Sequence, residues 1–232
     1  MSHAIKSKVV IANNIGEIES AAAKAGYRPD QVFFKCSRDH SPAYGFTMRP
    51  DDDPMVLQLG NGVNVYPTYP EPSTRFEIEF MMLGDIYGIV PSNVVRPIAL
   101  VIREAKDFEG DRELVVAGYM MEYTQGRTMH AHYRSIYPGK NLFKIVDTGD
   151  SLNNQLVDIV VRMHAHGVGH GDLQYTNAVI TEDGVKLRDP GPYNAGVTSI
   201  LHLLNGGYGL IVAQDMADIP RALYESRRAA GP

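Results

Sequence analysis

Between Asn177 and Asp189 the chain reads Ala178-Val179-Ile180-Thr181-Glu182-Asp183-Gly184-Val185-Lys186-Leu187-Arg188, two short apolar runs split by an acidic turn that ends in glycine. Such a run–turn–run closes as a hairpin. Closure brings the residues at its open end, Asn177 and Asp189, close together. Upstream, Leu152, Leu156, Ile159, Val160 and Met163 recur at helical spacing. Ser151 or Asp150 then caps a helix from Leu152 to about His166 that delivers the chain into His170 and Asp172. Hard divalent cations take oxygen ligands from carboxylates, amides and phosphates. Asn177 and Asp189 would supply such ligands to Mg²⁺, leaving Asp172 as a base or as the orienter of an attacking hydroxyl.

The octapeptide His170-Gly171-Asp172-Leu173-Gln174-Tyr175-Thr176-Asn177 resembles the H-x-D-L-x-x-x-N catalytic loop of the protein-kinase-like superfamily, and Asp189-Pro190-Gly191 falls where D-F-G is expected. Glycine in place of arginine after the histidine is similar to aminoglycoside phosphotransferases and to the small RIO-like and KEOPS-associated kinases. The resemblance implies an α+β, bilobal protein-kinase-like fold with a truncated C-terminal lobe. Residues 1–120 would form a mostly β N-lobe with one regulatory-type helix, and 121–232 a reduced, mainly helical C-lobe carrying the catalytic loop. It also implies ATP in the cleft between lobes, Mg²⁺ on Asn177 and Asp189, Asp172 orienting the acceptor hydroxyl, and His170 holding backbone rather than a metal.

Earlier in the chain, Asn14 caps a helix to about Ala25, Val32-Phe33-Phe34 is a strand, and Gly60-Asn61-Gly62 joins Met55–Leu59 to Val63–Tyr66 as a hairpin. The resemblance makes Gly60 and Gly62 the phosphate-facing pair. Ser73 and Thr74 cap a helix from about Arg75 to Leu83, on which Glu79, ahead of Glu77, is the glutamate that would hold a phosphate-binding lysine. That lysine should stand shortly before the helix, yet none occurs between Lys35 and Lys106. Val65 or Tyr66 takes its place, and Lys35 or Arg75 would have to substitute for it. The apolar run from Leu114 reads as a buried strand ending in a hinge, Met121, Glu122 and Tyr123, that would meet the adenine edge.

Residues 127–150 carry little regular pattern, and His130 and His132 read as surface residues. After Asp189, Thr198–Leu204 is a short helix stopped by Asn205-Gly206-Gly207, and a second runs from Pro220 to about Arg228. No A-P-E anchor or helical substrate platform follows. Pro190 would stiffen the loop, Asp51-Asp52-Asp53 sits between prolines as a solvated loop, and Ala229–Pro232 is a tail.

A composition of 44% hydrophobic and 21% charged residues is that of a soluble globular protein. The net charge of −5 offers no clear footprint for nucleic acid. Cys36, the only cysteine, excludes an intrachain disulfide and a cysteine-held zinc. No apolar run is long enough for a membrane span and no signal peptide is visible, so the expected setting is cytoplasmic. The expected partners are a nucleotide and a small-molecule or protein acceptor. Two other functions share this framework: a pseudokinase that binds a nucleotide or partner, and a kinase-fold transferase of AMP.

Overall fold

The computed structural model describes residues 8–48, 55–68, 73–106, 110–139, 142, 145–192, 197 and 199–230. The acidic run Asp51–Asp53, Thr198 and the last two residues of the expected tail lie outside them. The fold is mixed α+β. Its described residues group into two compact units, one over Lys6–Phe80 and Arg96–Tyr123, the other over Met81–Val95 and Thr124–Pro232. The sequence reading had drawn a single boundary after residue 120.

The first unit contains β1 (Val9–Ile11), α1 (Ile15–Lys24), β2 (Val32–Ser37), β3 (Leu57–Leu59), β4 (Val63–Thr68), the beginning of α2 (Ser73–Ile89), β5 (Pro97–Lys106) and β6 (Arg112–Glu122). Its sheet runs β1-β5-β6-β2-β4-β3 and is mixed, with β1·β5 and β2·β4 parallel and the other pairs antiparallel. All six residues of β2 are buried, which suits a central strand flanked by β6 and β4. Asn14 Oδ1 accepts from Glu17 N at 3.1 Å and caps α1. Its apolar stripe, Ile18 and Ala22, closes a core with Phe34, Val65 and Met120 on one face of the sheet. Burying a side chain the size of Ile18 or Phe34 contributes about 1.5–3 kcal/mol.

Strand β2, which carries Lys35, comes before the Gly60–Gly62 hairpin in the chain, and its parallel pairing with β4 sets Lys35 beside Tyr66, one of the two positions where the resemblance would put a phosphate-binding lysine. On the other side of β2, Gly118 of β6 permits the close pairing of β6 with β2, because a Cβ there would collide with the carbonyl of Lys35.

The second unit holds the end of α2, β7 (Arg127–Thr128), α3 (Met129–Ile136), α4 (Ser151–Ala165), β8 (Ala178–Thr181), β9 (Gly184–Leu187), α5 (Ile200–His202), α6 (Tyr208–Asp218) and α7 (Arg221–Ala230). The strands form a small sheet, β7-β8-β9. Helix α4 packs on β9 and α7, with Leu156, Val157, Ile159, Val160 and Met163 buried. No helix among the described residues is long and apolar enough to cross a membrane.

Five local expectations needed correction. Ser73, expected as a cap, is already helical, and α2 continues to Ile89 rather than ending at Leu83. The stretch 127–150 contains α3, whose buried face is only Met129 and Tyr133, too narrow to show as periodicity. Asn205-Gly206-Gly207 is a kink, not a stop: Gly206 takes a φ of 103° and the chain re-enters helix at once. The helix that follows, α6, had not been anticipated. Ala229 and Ala230, read as tail, belong to α7.

Candidate active site

Helix α4 is capped by Asp150, whose Oδ1 accepts from Asn153 N at 2.8 Å, and it hands the chain to the loop 168–177. Within that loop His170 is fully buried. Its Nε2 lies 3.0 Å from the carbonyl of Arg188, and its Nδ1 accepts from Asp172 N at 3.4 Å. The ring therefore ties the loop to the strand that leaves the hairpin, and both nitrogens are used in doing so.

Asp172 is held at both carboxylate oxygens. Gln174 Nε2 donates to Oδ1 at 2.7 Å and Asn177 Nδ2 donates to Oδ2 at 2.7 Å. Asn177 Nδ2 also donates to the Asp172 carbonyl at 3.0 Å. Because these bonds use only Nδ2, Oδ1 is the amide atom left to a cation. Burial pushes the Asp172 carboxyl above its ordinary range; the nearby Asp189 charge adds to this, and His170, Asn177 and Gln174 oppose it.

The hairpin forms as the turn residues required, with Ala178 opposite Leu187. One step further, Arg188 N donates to the Asn177 carbonyl at 2.9 Å, and Gly191 N to the His170 carbonyl at 2.9 Å. Asp189 is held between these two ties. It is the one non-glycine among the described residues with a positive φ, 55°. Left-handed backbone costs an L-residue roughly 1–2 kcal/mol, and such outliers cluster at functional sites.

Asn177 and Asp189 thus present an amide and a carboxylate from the same end of one hairpin. Among the described residues no group of three His, Cys, Asp or Glu side chains could hold a metal ion. A two-oxygen donor set suits Mg²⁺, which keeps water and phosphate oxygens for the rest of its shell, and does not suit a self-sufficient zinc or calcium site.

Sequence reasoning missed the residue that anchors this loop. Asp215, on α6, is fully buried. It accepts from His170 N and Gly171 N at 2.7 Å each, and its Oδ2 lies 3.0 Å from His164 Nε2. His164 Nδ1 in turn meets Tyr224 OH of α7 at 3.0 Å. The neighbouring Gln214 donates to the Gly171 carbonyl. One signal was available: an aspartate following the apolar run Leu210–Ala213 must satisfy its charge inside the protein.

The first unit supplies a separate charge set. Lys35 Nζ lies 2.7 Å from Glu79 Oε2, with both side chains buried. Arg75 Nε reaches Glu79 Oε1 at 3.3 Å and Tyr119 OH donates to Oε2 at 3.3 Å. Helix α2 brings Glu79 to the sheet face bearing Lys35 by packing Phe76 and Phe80 on Tyr119. The available signal for Lys35 was its position as a lone cation in an apolar strand.

The remaining predicted contacts are already engaged within this unit. The Gly60-Asn61-Gly62 tip is bound by Glu19 of α1, whose carboxylate accepts from Asn61 N at 2.6 Å and Asn61 Nδ2 at 2.8 Å. A Cβ on Gly60 would strike the same carboxylate. At the expected hinge, Glu122 N donates to the Arg96 carbonyl at 2.9 Å and Tyr123 N to the Gln31 carbonyl at 2.8 Å. Met121 is buried in the sheet opposite Phe33.

No protein-family model matches the chain, and no curated protein matches it.

Proposed function

We propose that the chain is a small, atypical phosphotransferase of the protein-kinase-like kind, using ATP with Mg²⁺, in a cytoplasmic setting. The observation that carries this reading is the buried Lys35–Glu79 pair. Its lysine appeared to be missing from a sequence whose loop otherwise carried the base and metal residues. An ammonium held by a carboxylate suits phosphate oxygens, and the Asp172, Asn177 and Asp189 set suits a metal and a reacting hydroxyl.

In this reading Asn177 Oδ1 and the Asp189 carboxylate would hold Mg²⁺, which would neutralise charge on the phosphates. Asp172 takes the proton of the acceptor hydroxyl as that oxygen bonds to the γ-phosphorus and the bond from phosphorus to the ADP oxygen breaks. Its raised proton affinity makes it a better base than an exposed carboxylate. Gln174 and Asn177 fix its orientation, and Asp215 fixes the backbone beneath it. Positioning and charge account for most catalysis of this kind.

The test is phosphate release and Mg²⁺-dependent thermal shift with ATP, for the wild type, Asp172→Asn and Asp189→Asn. The reading expects turnover in the wild type alone, retention of the shift in Asp172→Asn, and its loss in Asp189→Asn. Equal turnover in all three would remove it. A partner-binding module without turnover is the second reading, favoured by the engaged hairpin tip and hinge donors; it expects neither product nor a Mg²⁺-dependent shift with ATP. Transfer of AMP would appear as an added nucleotide mass on the acceptor.

A further inference from the structure

The sheet of the first unit has a second face, opposite α1, and an aromatic row lies across it beside Lys35. The Phe33 ring sits between Tyr66, with centroids 6.0 Å apart and planes at 29°, and Tyr123, at 6.3 Å and 2°. Strand pairing places Phe33 directly beside Met121, and Lys35 beside Tyr119. The row therefore occupies the sheet face along Met121–Tyr123, the segment expected to meet a nucleobase. Phe33 is 6% exposed.

Two independent features stand against a base at this row. The Phe33 and Tyr123 centroids are 6.3 Å apart with planes 2° from parallel, so the gap between the planes is no more than 6.3 Å. A base inserted between two rings needs about 7 Å, two van der Waals contacts. The backbone donors that would read a base edge are also spent, Glu122 N on Arg96 and Tyr123 N on Gln31. A purine would have to displace a stacked ring and break a backbone hydrogen bond together.

We propose that the Tyr66–Phe33–Tyr123 row fills the base position, so that the chain recognises a Mg²⁺-bound polyphosphate without regard to the base attached to it. Phe33 is then the specificity-determining residue. The ligand class is the triphosphate chain, whether from a nucleoside triphosphate or from inorganic tripolyphosphate. This rests on the phosphate-and-metal reading above and narrows it.

The experiment is calorimetric titration of the full chain, with Mg²⁺, by ATP, GTP, CTP and inorganic tripolyphosphate. Expected are four dissociation constants within about threefold of one another, since no base gains the tenfold or more that one aromatic stack provides. Phe33→Ala opens a slot between Tyr66 and Tyr123, and ATP should then bind about tenfold tighter than tripolyphosphate. Phe33→Leu, which keeps the core filled, should show a smaller gain of the same sign. Wild-type binding of ATP at least about tenfold tighter than tripolyphosphate overturns the inference and leaves the phosphotransferase reading standing. Binding of none of the four by a chain with native circular dichroism overturns both.

Discussion

Lys35 and Glu79 lie 44 positions apart in the chain, yet their side chains meet at 2.7 Å with almost no exposure. Removing one partner of a buried ion pair costs about 3–5 kcal/mol, because the other charge stays behind in a poor solvent. Glu79→Leu should cost more than Lys35→Met, since it also removes the acceptor of Arg75 and Tyr119. The double variant should be more stable than the sum of the single losses. Urea denaturation of all four forms measures this, and strictly additive losses would show that the two residues do not interact.

Asp172 should leave a pH signature. Burial raises its carboxyl above the ordinary value of 3.8. Between 3.8 and that raised value the folded chain keeps a proton that the unfolded chain has released. Stability from this group therefore falls as pH rises through that window and stays lower above it. Asp172→Asn lacks the effect. Its melting temperature relative to the wild type should thus improve from pH values below 3.8 to neutrality. A difference that does not vary with pH would mean that Asp172 is not perturbed. If Asp172 is the base, turnover should also fall on the acid side at a pH above the usual carboxylate range.

Asp215 should govern the order of the loop that carries Asp172. Asp215→Ala removes the acceptor of two backbone donors at His170 and Gly171, and each buried donor left unsatisfied costs about 1–3 kcal/mol. Hydrogen exchange at those two amides should speed up sharply while the amides of the β8–β9 hairpin keep their protection. Asp215→Asn, which keeps one carbonyl oxygen, should show a smaller change. If exchange at Gly171 is unaltered in the alanine variant, the anchoring role is lost.

Two glycines with nearly the same backbone make a paired test. Gly171 has a φ of 79° and Gly167 a φ of 73°, so alanine at either pays for left-handed backbone. At Gly167 a Cβ meets nothing within 4 Å, whereas at Gly171 it would collide with the carbonyl of Gly191. Gly167→Ala should cost about 1 kcal/mol. Gly171→Ala should cost clearly more and displace the Asp189 segment. Equal losses by thermal denaturation would contradict the close approach of the two chains.

Elements written in consecutive residues were readable in advance. Asn14 capped α1, Asp150 capped α4, the G-N-G turn made its hairpin, and the acidic turn at Glu182–Gly184 closed the hairpin that brings Asn177 near Arg188 and Asp189. Helix α3 escaped because two buried side chains do not make a visible stripe. The continuation through Gly206 into α6 escaped because a kink and a stop share the same glycine-rich signal. With α6 went Asp215, whose role depends on a loop it meets only in the folded chain.

Local order along the chain, then, was determined by the residues themselves: caps, turns and the spacing of Asp172, Asn177 and Asp189 act over a few positions, where each residue's neighbours are already known. Tertiary structure alone decided which distant charges met. Lys35 found Glu79 and Gly171 found Asp215, each across 44 positions, because α2 packs Phe76 and Phe80 on Tyr119 beside Lys35 and because α6 packs beneath the loop. The energy of a buried charge depends on what surrounds it, and that surrounding is set by strand order and helix packing, which no short stretch of residues contains.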